Sequence, residues 1–134
     1  MDYLKTLCED LNIDPDLEKT EAGSYLLPLT KSIQLEVKAL DPGVFFFSPI
    51  SPCPEIKREL LFIQLMKANL FHQGTLGATI GLDGDENLLT LSSALPYDMN
   101  DRAFKESLED FANIIEYWRV EIDRHVKLAQ EGVL

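Results

Sequence analysis

Histidine and cysteine are scarce in this sequence, with two of each among 134 residues. His72 and His125 do not stand with Cys, Asp or Glu at the spacings that hold a metal ion. Cys8 and Cys53 lie far apart, which suits a reducing compartment better than a disulfide framework. Cys53 sits between two prolines near a helix start, where a thiol pKa can fall, but no paired base accompanies it. Basic residues are short as well: 12 Lys and Arg stand against 23 Asp and Glu, a formal net charge of −11. Nucleic-acid phosphates and anionic lipid both select clustered Lys and Arg, so neither nucleic acid nor membrane is an expected partner. The acidity keeps a sticky surface soluble and attracts basic partners. No stretch reaches the roughly 18 uninterrupted apolar residues of a membrane span. The opening MDYLKTLCEDLN lacks the basic-then-apolar pattern of a secretory signal. A single cytoplasmic domain over residues 1–134 is therefore expected, with a core large enough to fold without disulfides or metal.

Two segments that could suggest a bound cofactor fail on spacing. Gly74, Gly77 and Gly81 do not form G-x-G-x-x-G, and a strand pattern follows them rather than a helix, so no phosphate loop is expected. Asp83, Asp85 and Glu86 resemble part of a calcium loop, but the regular ligand spacing and closing Glu are absent, and Asp-Gly is a common hairpin turn. The expectation is no metal, no cofactor and no catalysis.

What the sequence has is apolar pattern. Leu4, Leu7, Cys8 and Leu11 share one face of a short helix over residues 2–11, with Ile13 just beyond. Asp14-Pro15-Asp16 opens a loop. A period of two then takes over. Tyr25, Leu27 and Leu29 alternate with Leu26, Pro28 and Thr30, and Pro28 places this strand at a sheet edge. Ile33, Leu35 and Val37 alternate with polar residues, Asp41-Pro42-Gly43 turns the chain, and Val44–Ser48 forms a third strand. Phe45 and Phe47 point away from Phe46, so either both faces are covered or an aromatic is left for a partner.

Ser51 is the expected N-cap of a central helix running to about Phe71. That helix is apolar on two sides: Ile56, Leu60, Ile63 and Leu70 on one, Leu61, Leu65, Ala68 and Phe71 on the other. A surface helix ordinarily needs one apolar stripe, so a second subunit is the natural cover for the other side, unless these residues complete a monomer core. Gly74 can close the helix. A strand with Leu76, Ala78, Ile80 and Leu82 on one face and small residues on the other leads through Asp83-Gly84-Asp85 into a return strand, Asn87–Ser92. Asn100 or Asp101 caps the last helix. There Phe104, Leu108, Phe111, Ile115, Trp118, Ile122 and His125 recur at spacings of three and four, and the tail after Leu128 is expected to fray. The order α-β-β-β-α-β-β-α implies an α+β fold, a twisted antiparallel sheet with three helices.

The segment ANLFHQGTLGATIGLDGDENLLTLSSALPYD, followed by LEDFANIIEYWR, is similar to the class I chaperones of bacterial type III secretion, the CesT or SycE-like family. The pattern is carried by Ala68–Phe71, Gly74–Gly77, Leu82-Asp83, Leu95-Pro96, and Phe111 with Trp118. Residues 12–54 carry little of it. The resemblance implies a small acidic cytoplasmic dimer without enzymatic activity or ATP site. Such a protein holds the N-terminal segment of a secreted effector in extended form, keeps it soluble and secretion-competent, and presents it to the export apparatus or its ATPase. The implied dimer interface is Leu61, Gln64, Leu65, Ala68 and Phe71 of the central helix with Thr75, Gly77 and Thr79 of the next strand. The implied client-binding positions are Leu4, Leu7, Leu11, Ile13, Tyr25, Leu27, Ile33, Leu35, Phe45 and Phe47, some of which must serve as core. A heterodimer with a related chaperone would use the same helix. The alternative is an acidic regulatory adaptor that binds a transcription-related protein and couples secretion to gene expression.

Overall fold

Alternating side chains build the first half of the fold. In a computed structural model, which describes residues 9, 17, 19–20, 23–70, 77–85 and 87–134, strands β1 (Tyr25–Pro28), β2 (Gln34–Ala39) and β3 (Val44–Pro52) follow one another. Helix α1 (Arg58–Asn69), strands β4 (Thr79–Leu82) and β5 (Leu88–Leu95), and helix α2 (Asp101–Gln130) come next. The strands form one five-stranded sheet in the order β1-β2-β3-β5-β4, and β1 takes the edge position that Pro28 predicts. This is the expected α+β architecture. Of the helix expected over residues 2–11 only Glu9 is among the described residues, and it is helical and exposed.

The described residues group into two compact units. One holds those up to Ser48 together with Ser93–Asp110. There β1 and β2 pair antiparallel with Tyr25 opposite Val37 and Leu27 opposite Leu35, and β2 sets Val37 opposite Phe46. Residues directly opposite share a sheet face, and this is the inner one: Leu27, Leu35, Val37, Val44 and Phe46 are fully buried. Phe104 of α2 meets Phe46 with ring centroids 5.8 Å apart at 55°, a tilted contact of the kind aromatic quadrupoles favour. Asn100 caps α2, its Oδ1 accepting the Ala103 N–H at 2.8 Å.

The other unit holds Pro49–Ser92 and Phe111–Leu134. Two expectations change here. Ser51 does not cap the central helix; it continues β3, and its hydroxyl donates to the Pro52 carbonyl at 3.1 Å. Residues ahead of proline are biased to extended backbone, so Ser51-Pro52 prolongs the strand, and just beyond its end Cys53 donates its N–H to the Asn87 carbonyl at 2.8 Å. The helix starts only at Arg58, after Lys57 has taken a left-handed conformation with φ 50°. The second change is at the C-terminus, where the helix does not fray after Leu128. It runs to Gln130, and Gly132 closes it at φ 76° while Gly132 and Val133 donate to the carbonyls of Ala129 and Leu128. That is the paired Schellman closure, which glycine makes accessible. All seven residues of the predicted α2 stripe, Phe104 through His125, are buried across the two units.

Candidate interaction surfaces

Helix α1 has to bury one of its two apolar sides, and it turns Leu61, Leu65 and Ala68 inward, at 0%, 5% and 8% exposure. The side left open carries Leu60 at 45%, Ile63 at 51%, Met66 at 72% and Leu70 at 57%. Of the residues named for the dimer interface, Leu61, Leu65 and Ala68 therefore contribute to the chain's own core, Gln64 is half-buried, and Gly77 and Thr79 are exposed. Phe71 and Thr75 lie outside the described residues. Sequence reasoning had grouped Leu60, Ile63 and Leu70 correctly as one side. Met66 it assigned to neither.

Beside that open side, an apolar groove of about 260 Å³ lies between α1 and the hairpin, lined by Phe62, Leu65, Met66, Ile80, Leu82 and Leu89. On the other flank a hollow of about 200 Å³ is walled by Leu60, Gln64, Glu121, Arg124, His125 and Leu128. His125 is buried and bonds through Nε2 to the Ile56 carbonyl at 2.9 Å. A carbonyl only accepts, so Nε2 carries the proton and the imidazole ties α2 to the residues ahead of α1. Arg58 secures the same approach, donating from Nε to the Pro54 carbonyl at 3.1 Å while its guanidinium lies 5.9 Å from the Phe62 ring centre. Cys53 is buried with its thiol 3.7 Å from the Pro54 carbonyl oxygen.

The other surface belongs to the first unit. Leu26, Glu36 and Phe47 stand opposite one another across three strands, with Lys38 opposite Phe45 beside them. These residues share the outer sheet face, where Leu26, Phe45 and Phe47 are half-buried. The positions named for client binding divide between the two faces. Phe45 and Phe47 are outward. Leu27, Ile33 and Leu35 are 0–1% exposed and belong to the interior. Tyr25 shares the inner face with Val37 and is half-buried, with the Lys19 ammonium 5.8 Å from its ring centre. Leu26 is missing from the positions named for client binding, although its alternation with Leu27 already sets it on the opposite face, and its place opposite Glu36 shows that face to be the outer one. Leu4, Leu7, Leu11 and Ile13 lie outside the described residues. Among the described residues no helix is long and apolar enough to cross a membrane.

A sequence model of the Tir chaperone protein (CesT) family matches residues 2–119. The chain belongs to the CesT family. A Chlamydia pneumoniae protein designated CPj0713/CpB0740 is 26% identical over 120 residues, covering 86% of this CesT chain and 89% of that protein. The fold is similar to a chain of the ExsC–ExsE complex, with a TM-score of 0.71 at 16% identity, over 88% of this chain and 89% of that one. It is also similar to the Yersinia pestis type III secretion chaperone SycH, solved in complex with a stable fragment of YscM2: TM-score 0.63, 17% identity, 87% and 96% covered. In this CesT member the quoted family residues take definite places. Leu82-Asp83 leads into the hairpin turn, Leu95 ends β5, and Phe111 and Trp118 are buried along α2.

Proposed function

We propose that this chain is a cytoplasmic type III secretion chaperone. It binds the N-terminal segment of an export substrate in extended form, keeps it soluble and passes it to the export apparatus, without chemistry or ATP. The observation that carries the reading is the CesT match through residues 2–119. The outer face of β1–β3 supports it physically: Leu26, Phe45 and Phe47 offer apolar surface for client side chains, with Glu36 and Lys38 alongside. A disordered client must lose conformational entropy on binding, and apolar burial at roughly 25 cal/mol per Å² offsets that over a long contact. The open side of α1, with Leu60, Ile63, Met66 and Leu70, is where we place the contact with a second copy of the chain.

The test is a tagged pull-down from native bacterial lysate, with the bound proteins identified and the complex mass measured. A secreted protein retained through its N-terminal segment, on two copies of the chain, is the expected result. Recovery of a transcription-related protein without an export substrate would overturn the chaperone reading. A second, different acidic chaperone at equal ratio would replace the homodimer by a heterodimer.

A further inference from the structure

Strand β4 pairs with β5 on one side, with Ile80 opposite Leu91. An exposed strand edge invites a further strand, and proteins guard such edges. In an antiparallel strand each residue sends its N–H and C=O to the same side, alternating along the chain. At Ile80 both groups meet the side chain of Asn69, the last residue of α1. Asn69 Nδ2 donates to the Ile80 carbonyl at 2.9 Å, and the Ile80 N–H donates to Asn69 Oδ1 at 2.9 Å. Ile80 thus turns its backbone pair outward, away from Leu91. The carboxamide supplies one donor and one acceptor side by side, as a neighbouring strand would. Since β4 has four residues, this occupies one of the two positions whose backbone groups alternate to its outer side, Ile80 and Leu82.

We propose that Asn69 closes the β4 edge against strand addition by standing in for the missing strand at Ile80. A partner approaching this side then meets side chains of α1 and β4, not an open backbone ladder. The inference is independent of the client reading and holds whether or not an export substrate binds.

The test is Asn69→Ala in the full chain, read by residue-resolved amide exchange and by mass against concentration. In the wild type the Ile80 amide should exchange slowly. In the variant it should exchange at least tenfold faster while Leu91 is unchanged, and assemblies larger than the wild-type species should grow with concentration. Two outcomes would overturn the proposal. One is fast Ile80 exchange in the wild type. The other is a variant whose Ile80 amide is released while its mass stays that of the wild type, which would leave Asn69 as a tether alone. Should Asn69→Ala fail to fold, Asn69→Leu is read the same way, since it keeps the bulk of the side chain and loses both the acceptor for the Ile80 N–H and the donor to the carbonyl.

Discussion

Two backbone positions show how single residues set the fold's joints. Gly43 follows Asp41-Pro42 in the β2–β3 turn with φ 107°, a conformation that L side chains rarely adopt. A methyl group there would also run into the Leu95 carbonyl oxygen and lie 2.8 Å from the Tyr97 nitrogen and 2.9 Å from the Pro96 Cα. All three are backbone atoms and cannot swing aside. Gly43→Ala should therefore cost on the order of 3 kcal/mol, from strain and clash together, seen as a lower urea midpoint with an unchanged slope. Lys57 presents the opposite case, a side-chain-bearing residue held at φ 50° with no side-chain cap on α1. The left-handed region costs an L residue roughly 1–2 kcal/mol, and glycine returns part of that gain as unfolded-chain entropy. Lys57→Gly should stabilise the protein by about 0.5–1 kcal/mol in the same urea experiment. A loss of stability would mean that the Lys57 stem packs usefully where it lies.

Between elements, the two long helices differ in how plainly their sequences speak. Helix α2 has one apolar stripe and a charged outer face, so only one orientation satisfies it, and all seven stripe residues are buried as the spacing predicts. Its N-cap was equally legible, because Asn100 is a residue type whose side chain accepts the orphan N–H of the first turn. Asn100→Ala should lower stability by about 1 kcal/mol, measured by thermal or urea unfolding. Helix α1 is apolar nearly all round, and such a pattern says that both sides will be covered without saying by what. Leu61 and Leu65 went to the core and left Leu60, Ile63 and Met66 outside, a choice that only the packed structure reveals. The start of α1 was misplaced for a local reason: Pro52 and Pro54 hold Ser51 and Cys53 extended, and strand pairing through Asn87 extends the ladder. On the sheet, the alternation of β2 and β3 gave two faces directly. In β1 the alternation also separated Leu26 from Tyr25 and Leu27, but both sets carry apolar side chains, so which face turned inward was legible only from the packing.

For the molecule as a whole, a net charge of −11 and an open apolar helix side pull in opposite directions. Mutual repulsion keeps copies apart in general, while in the proposed dimer burial of Leu60, Ile63, Met66 and Leu70 rewards one specific contact. Substitutions on the two sides of α1 separate folding from assembly. Leu65 is 5% exposed within the chain, so Leu65→Asp puts an unpaired carboxylate in the core. Its effect should be loss of the fold, visible in circular dichroism, whatever the mass. Ile63 is 51% exposed, so Ile63→Asp should leave the fold and its unfolding transition nearly intact. In a two-fold contact each substitution acts twice. An uncompensated buried charge costs about 3 kcal/mol or more per site, so the proposed dimer should weaken by over a thousandfold at 1.4 kcal/mol per factor of ten. Sedimentation at micromolar concentration should then give a folded monomer. A folded dimer of unchanged mass would place the subunit contact elsewhere, with Tyr117 and Val120 the next exposed apolar residues to substitute.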